Sequence, residues 1–198
     1  MQPNAAIEML NEQQHAEIQR LWARKLEQDS ADIPFSERHR NLAPESAEFL
    51  FALVAGIGAK NILEIGGSSG ISTIALAAAA QQTQGKLISC EIEPARQAES
   101  KRTIARLGLS EFVDFRLGDA AETLPKLSDL EFVLIDCEKR DYIRFFDMLR
   151  MRPGSIVVAD NIISHQLNEY VAHVRSRHGI SSVTLSIGQG LELSRVAE

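Results

Sequence analysis

Apolar residues along this chain follow two rhythms. Short runs rich in β-formers recur: Ile62 to Ile65, Lys86 to Glu91 with Leu87, Ile88 and Cys90, then Phe112 to Leu117, Glu131 to Asp136 and Ser155 to Asp160. Runs such as Phe132-Val133-Leu134-Ile135 and Ile156-Val157-Val158-Ala159 mark strands buried on both faces, and hence a parallel sheet with helices on either side. Between them lie stretches with helical spacing. Ala5 to Gln28 has no Gly or Pro and repeats Ile18, Leu21, Trp22 and Leu26, which predicts one or two amphipathic helices whose stripe covers the sheet or a partner subunit. A further helix starts at Pro44, carries Leu50, Leu53, Val54 and Ile57, and ends at Gly56 to Gly58. Others follow Gly70 through an alanine series, run from Pro94 to Gly108, from about Arg140 to Arg150 closed by Pro153-Gly154, and from about Gln166 to His178. Ile180 to Ile187 and Leu191 to Val196 flank Gly188-Gln189-Gly190 as a hairpin.

Strand and helix in alternation, with right-handed crossovers, predict an α/β fold: a Rossmann-like, doubly wound, mostly parallel seven-stranded sheet with a C-terminal antiparallel hairpin and extra N-terminal helices. The chain of 198 residues suits one domain, with 1–42 a helical segment and 43–198 the core. A formal charge of −6 argues against a basic nucleic-acid surface and for small neutral or cationic partners. Only two cysteines are present, Cys90 and Cys137, each closing an apolar run, as in a reduced intracellular protein. The N-terminus, with Glu8 and Glu12, does not read as a signal peptide, and the apolar runs are too short to span a bilayer. A cytoplasmic location without membrane contact is expected. Asp29 to Asn41 mixes Pro34, Phe35, Arg38, His39 and Arg40 without a period and reads as a solvated loop.

The chemistry centres on Asn61 to Ser72, a strand, a tight turn at Gly66, Gly67 and Gly70, and a helix. Such a turn brings a ligand against backbone amides at a helix N-terminus. A dinucleotide turn wants G-x-G-x-x-G, and from Gly66 the third and sixth positions are Ser68 and Ile71, so a nicotinamide dehydrogenase is disfavoured. Glu64, at the strand end, is expected to point into the space a pyrophosphate would fill, which repels phosphate and favours an amine such as the methionine half of S-adenosylmethionine. Glu91, after the next strand, suits two ribose hydroxyls, and Asp119 with Ala120 the adenine edge.

Asp136 and Asp160 close two strands expected to be neighbours, about 5 Å apart, and Asn161 follows at once. Two carboxylates and an amide oxygen so gathered call for a cation, and all-oxygen donors favour Mg, Ca or Mn. The alternative is that Asp136 contacts the cofactor while Asp160 and Asn161 cap a loop. Lys139, three residues past Asp136, faces the same cleft and is a candidate base. Cys137 lacks a nearby His and is not expected to be a nucleophile, and His165 carries no assigned role.

These residues resemble the class I S-adenosylmethionine-dependent methyltransferases, and most closely the metal-dependent O-methyltransferases of the catechol and caffeoyl-coenzyme A type. The carriers are Glu64 to Ser72, Glu91, Gly118-Asp119-Ala120, Leu134 to Lys139, Ala159-Asp160-Asn161 and Ile187 to Leu191. The resemblance implies that Glu64, Gly66, Gly67 and Ser72 hold the methionine end, Glu91 the ribose and Ala120 the adenine side. It implies further that Asp136, Asp160 and Asn161 bind Mg2+ or another divalent cation, that Lys139 is the base, and that the protein is a homodimer. The stretch between Asn161 and the hairpin is shorter than in those relatives, and Gln189 stands for a usual aspartate. The expected activity is methyl transfer to a hydroxyl of a small, catechol-like molecule. The alternatives are a tRNA hydroxyl methyltransferase and a cofactor-binding protein without catalysis.

Overall fold

The computed structural model describes residues 9–31, 33–34 and 38–197; Ala5 to Glu8 of the expected first helix and Phe35 of the loop lie outside the described residues. Helix α1 spans Glu12–Ser30. Its start is set by Asn11, whose side chain accepts from the Gln14 amide while the Gln14 side chain accepts from the Asn11 amide, both at 2.9 Å. Two amides of the first turn are thereby satisfied. Ile18 and Leu21 turn inward onto the chain's own core, whereas Leu26, from the same expected stripe, is 50% exposed. Helix α2, Pro44–Ile57, opens on its proline and closes on Gly58 in the left-handed conformation.

The sheet is built from β1 (Asn61–Ile65), β2 (Lys86–Glu91), β3 (Val113–Leu117), β4 (Leu130–Ile135), β5 (Met151–Ala159), β6 (Ile180–Leu185) and β7 (Leu191–Val196). The helices between are α3 (Ile71–Thr83), α4 (Pro94–Arg106), α5 (Ala120–Thr123), α6 (Tyr142–Met148) and α7 (Asn168–Arg175). Strand order is β3-β2-β1-β4-β5-β7-β6, with β7 antiparallel to both its neighbours and every other pair parallel. This is a Rossmann-like α/β fold with a C-terminal antiparallel hairpin. The order reverses between β1 and β4, which opens a crevice beyond their carboxyl ends.

Period-two alternation divides the strands between two cores. Ile62, Leu87, Phe132, Leu134 and Val158 face the side covered by α1 to α4, while Leu63, Ile65, Val133, Ile135 and Val157 face α5 to α7. Helix α3 is buried from Ile71 to Ala80, and apolar there apart from Ser72 and Thr73 in its first turn. Its alanines let it wedge between α2 and the sheet.

Several boundaries differ from the sequence reading. Strand β5 begins at Met151 rather than Ser155, and α6 stops at Met148. Pro153-Gly154 is not a stop between helix and strand. It lies within β5, opposite a register irregularity between Leu130 and Phe132, where the ladder does not require the N–H that proline lacks. Helix α7 is also shorter than expected. Among the described residues no helix is long and apolar enough to cross a membrane.

Candidate active site

The carboxyl ends of the central strands open on a cavity of about 380 Å³, a size suited to one small-molecule ligand. Of the residues singled out in the sequence, Gly66, Glu91, Asp119, Ala120, Asp136, Lys139 and Asn161 line it. Glu64, Gly67, Ser72 and Asp160 are not in the lining; all four are buried.

The glycine turn is fitted to its surroundings. Gly66 has φ of 98°, and a Cβ there would stand 2.0 Å from the Asp136 carbonyl oxygen. A Cβ on Gly67 would meet the Ser89 hydroxyl at 2.6 Å and a Glu64 carboxylate oxygen at 2.7 Å. Glu64 itself corrects the sequence reading: it is wholly buried and does not project into ligand space. It is one residue short of the strand end, so alternation puts it on the same face as Ile62, under α3. Its Oε2 accepts from Thr73 Oγ1 at 2.8 Å and Ser89 Oγ at 2.5 Å, which ties the turn to α3 and β2. Burial raises its carboxyl above the usual range, with hydrogen bonds from Ser72, Ser89 and Thr73 opposing and the Asp136 charge adding.

Glu91 is tied to the same turn. Its Oε2 accepts the Ser68 amide at 2.7 Å and its Oε1 the Glu93 amide at 2.9 Å. Each oxygen keeps a further lone pair for a ligand hydroxyl. Asp119 caps α5, accepting the Ala121 amide at 2.8 Å, and its other oxygen lies 3.3 Å from Arg144. Cys90 and Cys137 line the cavity as thiols, burial pushing Cys90 up to about 11 and Cys137 higher still.

On the other side of the switch point, β4 and β5 bring Asp136 and Asp160 together. The Asp136 amide donates to Ile65 O at 2.9 Å and the Asp160 amide to Ile135 O at 3.1 Å, so both sit where the ladder ends. Asp160 is buried; its Oδ2 accepts from Asn161 Nδ2 at 2.8 Å, while its Oδ1 has no hydrogen-bond partner. Burial, then the charge of Asp136, pushes its carboxyl up to about 7. Asn161 adopts φ of 62°, a conformation that asparagine tolerates. A buried carboxylate oxygen with no donor, beside a second carboxylate and an amide, is the arrangement a hard divalent cation satisfies. Among the described residues no three His, Cys, Asp or Glu side chains converge, so any cation here would depend on two carboxylates and the amide.

Lys139 Nζ stands 3.2 Å from Asp136 Oδ1 and 2.8 Å from Tyr142 Oη, and Tyr142 donates onward to the Asp160 carbonyl at 3.1 Å. Burial raises the Tyr142 phenol well above its usual value, so it stays an O–H. Sequence reasoning missed this tyrosine, although its position one helical turn from Lys139 was a usable signal.

The loop before α2 is a second correction. His39 is buried with Nε2 3.4 Å from Glu99, the Arg40 amide donates to Ser68 Oγ at 3.1 Å, and Asn41 Nδ2 to Ser69 Oγ at 2.8 Å. The Arg40 guanidinium pairs with Glu138. On the opposite wall, the loop after β5 is bound to the hairpin turn, the Ile162 amide donating to Gly190 O at 2.9 Å and the Ser164 amide to Gln189 O at 3.1 Å.

A family model described as O-methyltransferase matches residues 13–195. The chain belongs to the O-methyltransferase family. It is 38% identical over 130 residues to a catechol O-methyltransferase of Niastella koreensis, an overlap of 62% of this chain and 58% of that protein. It is 31% identical over 139 residues to a catechol O-methyltransferase of Mycobacterium tuberculosis, covering 68% of this chain and 61% of the relative. The chain thus spans about three fifths of the length of these curated relatives. Among solved structures, cofactor-bound Rv0187 from MTB is 25% identical with a TM-score of 0.77, each chain covered to 90%. The O-methyltransferase TomG from Streptomyces achromogenes, solved in complex with SAM, has a TM-score of 0.79 at 21% identity, covering 98% of this chain and 93% of its own, and shares the fold.

Proposed function

We propose that this member of the O-methyltransferase family is an S-adenosylmethionine-dependent enzyme that methylates a hydroxyl of a small molecule with the help of a divalent cation. The observation that carries the reading is one cavity in which the Gly66 turn and Glu91 meet Asp136, Lys139 and Asn161. When bound, S-adenosylmethionine supplies an electrophilic methyl group, and a divalent cation supplies a Lewis acid that favours the ionised form of a hydroxyl.

The chain's own residues supply the rest. Gly66 gives bare backbone at the switch point, and Glu64, from behind, fixes the turn's position. Glu91 offers its carboxylate to two ribose hydroxyls, and Asp119 and Ala120 border the adenine side. Asp136, Asp160 and Asn161 would hold the cation, which relieves the unpaired Asp160 oxygen and the repulsion between the two carboxylates. Lys139 Nζ receives the acceptor's hydroxyl proton, held in place by Asp136 and Tyr142. Positioning and electrostatics carry most of the rate in such a site. The proposed partner is a small hydroxylated molecule rather than a nucleic acid, and the proposed assembly is a cytoplasmic homodimer.

The test is a panel of phenols and catechols with methyl-labelled cofactor, run with and without chelator. Label should reach an acceptor, stop with chelator and return with added Mg2+. No labelled acceptor overturns the enzyme reading, and label indifferent to chelator overturns the metal.

A further inference from the structure

We propose that Arg40 selects the acceptor, taking a carboxylate carried by the hydroxylated substrate in the place that Glu138 now occupies. The inference rests on the O-methyltransferase reading above and narrows its substrate class. Arg40 comes from the loop before α2, and its backbone is fixed over the glycine turn by the bond from its amide to Ser68 Oγ. Glu138 comes from the opposite wall, on the loop between β4 and α6, in sequence between Asp136 and Lys139. Both residues line the cavity that Asp136, Lys139 and Asn161 also line, and they are joined there by their ion pair. An acceptor held at Lys139, the residue after Glu138, therefore lies close to the pair.

The two partners are not equally held. The Arg40 side chain is 25% exposed, whereas that of Glu138 is 53% exposed, so the carboxylate is the one that can swing into solvent. An ion pair so exposed contributes little on its own and exchanges readily. A guanidinium is shaped for carboxylates, and this one already holds a carboxylate. The surrounding charges favour the same class of ligand. Glu138 lies in the field of Lys139 and Arg140 as well as Arg40, and His165, on the loop after β5, lies in the field of Lys139 and Arg40. With Glu138 displaced, an incoming anion meets cations, and an incoming ammonium meets repulsion. Asp136 and Asp160 do not reverse this, since they are the carboxylates assigned to the divalent cation, and Asp141, also in the lining, is paired with Arg140 and Arg144. An acceptor already anchored by its hydroxyl presents its carboxylate to Arg40 at high effective concentration, which gives it the advantage over Glu138.

Calorimetric titration of the full chain tests this with three probes of one shape: a dihydroxybenzoate, catechol, and a dihydroxybenzylamine. S-adenosylhomocysteine is titrated first, and the probes follow in its presence with Mg2+, for the wild type, Arg40→Gln and Glu138→Gln. The dihydroxybenzoate should bind about tenfold tighter than catechol and the amine most weakly. Arg40→Gln should erase that preference and Glu138→Gln should widen it. Glu138 is exposed, so its variant decides the matter even where Arg40→Gln folds poorly. Equal affinity for the acid and catechol, absence of dihydroxybenzoate binding, or a preference that survives in Arg40→Gln overturns the inference. If S-adenosylhomocysteine itself fails to bind the wild type, the O-methyltransferase reading falls and this inference with it. If it binds and the preference is absent, only the inference falls.

Discussion

Lys139 and Tyr142 form one hydrogen-bonded unit, with the lysine nitrogen between Asp136 and a phenol that is itself fixed to the Asp160 carbonyl. Replacing Lys139 with alanine removes the proton acceptor and should lower kcat by about 10²–10⁴-fold. Calorimetry should find S-adenosylhomocysteine binding intact, because Lys139 is not among the groups assigned to that ligand. Tyr142→Phe keeps the buried ring and removes only the hydroxyl, leaving the Asp160 carbonyl without its donor, so a loss of roughly tenfold in kcat is expected together with about 1–3 kcal/mol of stability, read from a thermal melt. A Tyr142→Phe enzyme as active as the wild type would show that the phenol does not position Lys139. Gly66→Ala acts differently. Its Cβ would meet the Asp136 carbonyl oxygen 2.0 Å away, on a backbone with φ of 98°, so the turn must shift. The cost should be about 1–3 kcal/mol of stability, read from a denaturant titration, together with weaker S-adenosylhomocysteine binding.

Helix α3 and strand β5 show how far a pattern in the chain reaches. The alanine series after Gly70 correctly indicated a helix, and its burial follows from having no polar face. Ala77 is fully buried in the core on the α1 to α4 side, so Ala77→Leu should overpack that core and destabilise by about 1–3 kcal/mol in a thermal melt. The five parallel strands were legible because four carry mainly apolar runs and β3 alternates Val113, Phe115 and Leu117 with Asp114 and Arg116, each closed by a turn residue or an acid. Less legible was where β5 starts: Pro153-Gly154 is a strong local break, and only pairing across the irregularity near Leu130 shows that the strand runs through it. The direction of Glu64 was lost for a related reason. Side-chain direction changes at every residue of a strand, and the distance of Glu64 from the strand end has to be known to one residue. Asp136 and Asp160 were legible because strand order made them neighbours. Arg40 was not, because nothing local indicates that its loop folds back over the glycine turn.

The two cores meet at a sheet whose functional rim is crowded with acids, and this gives the folded protein an unusual response to pH. Asp160 is raised from an ordinary 3.8 to about 7, so folding favours its protonated form. That contribution is fully present below 3.8 and is lost as pH rises through about 7. Glu64 is shifted in the same direction. Glu17 and Glu138 are held below their ordinary 4.5, so what they contribute is present above 4.5 and fades only at lower pH. His39 and His165 are held below their ordinary 6.5 by burial and oppose this, regaining stability as pH rises to 6.5. Above 6.5 only the raised carboxyls still titrate, so without divalent cations the melting temperature should fall between pH 6.5 and about pH 8. Added Mg2+ should recover the loss at pH 8 and do little at pH 5, where protons compete for Asp160. A flat profile, or one indifferent to Mg2+, would remove the support that Asp160 gives to a cation site. The bonds from Ile162 and Ser164 to Gly190 and Gln189 join the wall after β5 to the hairpin turn, while Gly66 and Glu91 lie on the other half of the sheet. Natural variation or laboratory redesign of the stretch around Gln189 therefore offers a handle for retuning which molecules are accepted, with the nucleoside half left as it is.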